Sequence, residues 1–139
     1  MPASCGSSEM PPRWALLEHN FPWLHWDLLL ERSDGTAAHT WRLLRQPCNG
    51  EPIAAEPLPD HRLVYFDYEG EVSGGRGRVK RLERGLCRAA AEGIQGVASG
   101  KFALPCSVLL RLEFPGGHLF QWGELLQFPE QRFFWHFGS

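Results

Sequence analysis

His25 and Asp27 stand two residues apart in a run of strand-forming residues and pair an imidazole with a carboxylate. If residues 23–31 are extended, side chains two apart leave the same face, about 6.6–6.8 Å apart at the backbone, and can converge on one ion. Nitrogen and oxygen donors of this kind suit Mn²⁺, Fe²⁺ or Zn²⁺. A third ligand from a neighbouring segment would complete one side of the shell and leave room for water and substrate. His19, at the end of the preceding apolar run, is the natural third ligand. An ion held there would act as a Lewis acid. The same pair on a solvent-facing strand would simply be hydrated, and the His-x-Asp spacing alone does not choose between the two.

The segments that must position these residues read as short strands. Residues 14–18 and 23–31 are apolar, strand-length runs separated by a turn at Asn20-Phe21-Pro22. In the second run Leu24, Trp26, Leu28 and Leu30 alternate with Trp23, His25, Asp27, Leu29 and Glu31, so one face is expected to be core and the other to carry chemistry. A helix over 23–30 is conceivable, but the Ser33-Asp34-Gly35 turn and the run at 40–44 make a hairpin simpler. Pro47, Pro52, Pro57 and Pro59 predict a surface loop over 46–60, too rich in proline for a central strand. Residues 61–68 return to β-type residues, 69–77 form a glycine-rich turn, and 78–82, 108–114, 119–122, 125–128 and 132–137 are further strand candidates. At most a short helix is expected near 87–92. The pattern predicts an all-β fold, a small closed or partly open barrel of short strands, over residues 13–139 behind a flexible tail at 1–12.

A chain of 139 residues has the length of one domain, and six Trp with nine Phe give it the apolar bulk to fold. Its net charge of −2 argues against a surface built throughout to grip duplex phosphates. Charge is nevertheless clustered: Arg76, Arg78, Lys80, Arg81, Arg84 and Arg88 lie close together, opposed there only by Glu83. Such a cluster would guide a phosphorylated ligand or would be an ordinary solvated strand face. Cys5, Cys48, Cys87 and Cys106 show no C-x-x-C spacing and are expected to be free thiols. With neither a secretory signal nor a long apolar run, a cytoplasmic protein with no membrane partner is expected.

Taken together, several motifs resemble the 3′-phosphoesterase family of bacterial DNA ligase D. The segment Trp14-Ala-Leu-Leu-Glu-His19, five residues, then His25-Trp-Asp27-Leu-Leu-Leu-Glu31 is similar to the family's apolar strand ending in His, followed by H-Y-D-F-R-L-E. Thr40-Trp41 resembles its S-W pair. His61-Arg-Leu-Val-Tyr65-Phe-Asp-Tyr-Glu69-Gly70 resembles its H-P-L-D-Y-x-x-F-E-G, and the segment ending Glu83-Arg84-Gly85 resembles its V-x-V-W-D-R-G. The resemblance covers about residues 14–85. It implies that His19, His25 and Asp27 hold a divalent metal, typically Mn²⁺, and that His61 and Tyr65 contact the reacting phosphate. It also implies removal of a terminal ribonucleoside or phosphate from DNA 3′ ends, with any DNA ligase or other repair partner a separate protein. From residue types alone, His61 would be an exposed loop histidine and Tyr65 a core aromatic.

Two departures qualify the resemblance. Where the family has Arg two residues after the ligand Asp, this chain has Leu29, which offers no charge to a phosphate. The glycine-rich turn is shorter and lacks the family's Tyr, and Arg76 or Arg78 is expected to take over phosphate binding. The leading expectation is therefore a Mn²⁺-dependent phosphoesterase in DNA repair. The alternative is a catalytically impaired module that keeps the metal and binds nucleic-acid ends or a partner. A cupin-like barrel is a third reading, because two His and one carboxylate also form a non-haem iron triad. His39, His118 and His136 are selected by no spacing argument.

Overall fold

The computed structural model describes residues 11–89, 96–97 and 106–139. They form an all-β molecule. In chain order the strands are β1 Arg13–His19, β2 His25–Glu31, β3 Ala38–Leu43, β4 Ile53–His61, β5 Gly70–Glu71, β6 Arg78–Leu86, β7 Arg88–Ala89, β8 Gly96–Val97, β9 Ser107–Glu113, β10 Trp122–Phe128 and β11 Arg132–Gly138. Two short 3₁₀ turns, Leu63–Phe66 and Pro129–Gln131, are the helical elements among these residues. No helix among them is long and apolar enough to cross a membrane.

The strands make one antiparallel sheet in the order β5-β6-β1-β2-β3-β4-β11-β10-β9-β7, with β8 also on β9, and the sheet does not close. It does curl. The Trp14 ring of β1 packs, tilted, 4.6 Å from that of Phe114 just after β9, although the two strands lie far apart in the order. Trp14, Leu16, Trp26 and Leu28 meet Phe114, Phe120, Trp135 and Phe137 in one core on the inner face. Fully burying side chains of this size contributes roughly 1.5–3 kcal/mol each. The opposite face of β1 and β2 is buried too: Ala15, Leu17 and Leu29 pack with Ala38, Val79 and Phe66, the last carried on the 3₁₀ turn. The expectation of one core face and one polar face on residues 23–31 is corrected accordingly, because β2 is buried on both sides over His25–Leu30.

Four local expectations also change. The proline-rich stretch is a strand from Ile53 and pairs with β3 through Leu58 and His61. It tolerates Pro57 and Pro59 because β11 pairs only with Ile53, Ala54 and Ala55, so the prolines lie where β4 has a single neighbour. Residues 63–66 form a 3₁₀ turn instead of a strand, which drives Phe66 into the second core. Leu119 to Gln121 fall outside β10, which starts at Trp122. Finally, Arg88–Ala89 pair with Glu113 and Leu112 as a strand where a short helix was expected; residues 90–92 of that segment, like residues 1–10 of the expected tail, lie outside the described residues.

Candidate metal and phosphate site

The register of the first three strands builds one polar cluster within the second face. His19 lies opposite His25, and Leu17 opposite Asp27, across β1 and β2; Arg42 lies opposite Asp27 across β2 and β3. His61 ends β4 opposite Ala38, and Tyr65 follows on the 3₁₀ turn, their rings 5.7 Å apart. His25 and Asp27 are almost wholly buried, at 1% and 4% exposure, so their polar atoms need partners inside the protein.

Hydrogen bonds fix which way each imidazole presents its lone pair. His25 Nδ1 lies 2.9 Å from the Trp23 carbonyl, and a carbonyl only accepts, so Nδ1 carries the proton and Nε2 of the neutral ring carries the lone pair. That Nε2 is buried without a hydrogen-bond partner and faces Asp27 Oδ2 at 3.6 Å. His61 repeats the arrangement: Nδ1–H donates to the Pro59 carbonyl at 3.2 Å, and Nε2 faces the same Asp27 oxygen at 3.9 Å. Two lone pairs and a carboxylate oxygen thus point at one another, an arrangement that calls for a positive charge between them. Burial pushes the His25 imidazole below its ordinary proton affinity, and Arg42 and His19 add to this against the Trp23 carbonyl and Asp27. A second proton is therefore a poor source of that charge. The donor set fits a divalent cation of the Mn²⁺, Fe²⁺ or Zn²⁺ class, with the carbonyls of Trp23 and Pro59 orienting the rings.

His19 is near but differently engaged. Its ring lies 5.0 Å from that of His25, and Nε2–H donates to the Arg76 carbonyl at 2.7 Å, leaving Nδ1 with the lone pair. Among the described residues no three His, Cys, Asp or Glu side chains are drawn tightly enough to form a finished cation cage. His25, Asp27 and either His61 or His19 would hold the ion.

A cavity of about 290 Å³ opens over this cluster, walled by His19, Asp27, Arg42, His61, Tyr65 and Arg76 together with Phe21 and Pro22. Arg42 Nε sits 3.4 Å from Asp27 Oδ1, so its terminal nitrogens can serve a second anion. Arg76 is braced by Ser73, with Nε on the carbonyl at 2.7 Å and a terminal nitrogen on Oγ at 3.2 Å. Of the two arginines expected to bind phosphate, Arg76 lines the cavity and Arg78 does not; Arg78 is exposed and reaches Glu71 at 3.7 Å.

Arg42 is the residue that sequence reasoning missed. Nothing in Thr40-Trp41-Arg42 marks it until the β2–β3 register is known, although a hairpin centred on Ser33-Asp34-Gly35 would have placed residue 42 near residue 27. Leu29, by contrast, is fully buried in the second core. Compared with models of protein families and with curated proteins, the chain matches none.

Proposed function

We propose that this protein is a divalent-metal-dependent phosphoesterase that processes the 3′ ends of nucleic acid. The observation that carries the reading is the buried, unpartnered Nε2 of His25 aimed at Asp27 on the floor of a cavity that also holds two arginines. Such a floor suits a cation and such walls suit a phosphate. The motif resemblance to the ligase D phosphoesterases supports the choice of reaction, of Mn²⁺ and of a DNA or ribonucleotide-terminated 3′ end.

When bound, the cation would polarise a phosphoryl oxygen. The chain's own residues account for the rest of the chemistry. Arg42 and Arg76 bind the phosphate and neutralise charge that builds up on it. Arg42 supplies from β3 the guanidinium that Leu29 cannot supply from β2. The Tyr65 hydroxyl is the proton donor available to a leaving oxygen, and His61, beside it, orients the phosphate or completes the cation's ligands. Leu17, Val79 and Phe21 give the cavity an apolar part of its wall.

The Arg42–Asp27 ion pair also favours a second reading, because a carboxylate already neutralised by Arg can serve a module that binds nucleic-acid ends without cutting them. Incubating the protein with Mn²⁺ or with chelator on a primer-template ending in a 3′-phosphate or one 3′-ribonucleotide separates the two. Metal-dependent trimming, lost in His25→Ala, is the expected result. Binding of the primer without trimming of either end would replace the first reading with the second.

A further inference from the structure

Phe21, Trp23 and Leu24, three of the most exposed large apolar side chains among the described residues, share the short loop between β1 and β2. Trp23 is 63% exposed and Leu24 53%, while Phe21 and Pro22 form part of the wall of the cavity above Asp27. Apolar surface is costly to leave in water, and here it is concentrated at the mouth of the site.

The loop is held firmly from both sides. Asn20 N–H donates to the Arg78 carbonyl at 3.3 Å, and Asn20 Oδ1 accepts from the Arg78 N–H at 2.8 Å. Gly77 makes this approach possible: at φ +80° it has a backbone that other residues rarely adopt, and a Cβ there would fall 2.6 Å from Phe21 Cβ and closer still to Asn20 Oδ1. On the other side, the Trp23 carbonyl receives the His25 Nδ1 proton. The backbone is thus tied to β6 and to the candidate metal ligand, while the Trp23 indole stands in solvent.

We propose that this loop is a stacking platform for the terminal base of a nucleic-acid strand whose end phosphate enters the cavity. The proposal rests on the phosphoesterase reading for the position of the phosphate. The occupant follows from what surrounds the loop. Arg42 and Arg76 line the cavity beside it, and Arg78 and Lys80 are exposed on the strand that clamps it. Exposed aromatic faces set among cations are how proteins hold single strands, since every base offers a face to stack. A stable protein interface would need about 20–30 residues a side, far more than this loop presents. The platform selects an end that carries a base over a small phosphoester, and it does so without reading which base is present.

The test is equilibrium binding, in chelator so that nothing is trimmed, of a short thymidine oligomer ending in a 3′-phosphate against the same oligomer whose last residue is abasic and carries the same 3′-phosphate. Wild-type protein should bind the intact end on the order of tenfold more tightly. Trp23→Ala should bind both ends alike, at the level of the abasic one, and Trp23→Phe should recover part of the preference. Equal binding of the two ends by wild-type protein, or a preference that survives in Trp23→Ala, would overturn the platform. Mn²⁺-dependent hydrolysis of the two 3′-phosphate ends by wild-type protein reports on the phosphoesterase reading separately. Hydrolysis without base preference would refute the platform alone, whereas base preference without hydrolysis would uphold it and refute the reading.

Discussion

The sheet contains two buried clusters of His, carboxylate and Arg, and they are wired in opposite senses. On β9 to β11, Glu124 lies directly opposite both His136 and Arg111. His136 Nδ1–H donates to Glu124 Oε1 at 3.0 Å, and Arg111 approaches Oε2 at 3.8 Å. On β1 to β3, Arg42 lies opposite Asp27, but His25 is two residues along the same strand and gives its proton to a backbone carbonyl instead. The first cluster presents a proton to its carboxylate. The second presents a lone pair, and on the proposed reading a cation would complete it. The difference lies in where the imidazole sits: across the strands it can give its proton to the carboxylate, whereas on the same strand and face it turns its other nitrogen to the carboxylate.

Breaking the first cluster should have the largest effect on stability. His136→Ala removes the hydrogen-bond donor to the buried Glu124 and should cost roughly 3–5 kcal/mol in urea unfolding, with the Mn²⁺ response retained. A loss under about 1 kcal/mol would mean that the two clusters are not energetically distinct. His25→Ala should show the converse pattern. Metal-dependent hydrolysis falls by more than about 100-fold, and Mn²⁺ no longer raises the melting temperature, because the stabilisation by a ligand requires its site. Unfolding in chelator should change by less than about 2 kcal/mol, since the hydrogen bond lost is the single one from Nδ1 to the Trp23 carbonyl, and Nε2 has no partner to lose.

Arg42 sharpens the contrast. Arg42→Ala should lower turnover of a 3′-phosphate roughly 10- to 100-fold, and Arg42→Lys should restore only part, as a single ammonium cannot reach Asp27 and a phosphate together. Full activity in Arg42→Ala would leave the phosphate to Arg76. The smallest effect belongs to an ordinary pair between β1 and β2: Arg13 bonds Glu31 at 3.2 Å and holds its carboxyl below the usual range. A depressed carboxyl pKa stabilises the fold above the unfolded-state value, and that contribution fades as pH falls through the folded-state value. Because both side chains keep part of their surface in water, Glu31→Gln should remove about 1 kcal/mol or less at neutral pH and nothing in strong acid. A cost of several kcal/mol would show that solvated and buried pairs count alike here.

His25 and Asp27 were legible because strand spacing alone puts them on one face. The strands themselves were legible from alternating apolar residues and glycine or proline punctuation. Arg42 and the Glu124–His136 pair were not, since their proximity depends on cross-strand register. The fate of Pro57 and Pro59 was equally hidden: whether a proline-bearing segment can be a strand depends on how many neighbours it has at each residue, which only the assembled sheet decides. Leu29 was identified as a departure from the motif, but that it belongs to a second core required Phe66 and its 3₁₀ turn.

The curl of the sheet has a kinetic consequence. β1 to β4 follow one another as nearest neighbours, so the strands that carry His25, Asp27 and Arg42 can find their register from local chain alone. Their inner face is different: Trp14 waits for Phe114 and Phe120, and Ile53 for Trp135, partners that emerge late in synthesis. Contacts so distant in sequence slow folding and leave hydrophobic strands uncovered in the meantime. A ribosome-bound chain ending before β9 should therefore expose the apolar side of its first hairpins to chaperones, and the polar cluster should become rigid only once the C-terminal strands have closed over the other side.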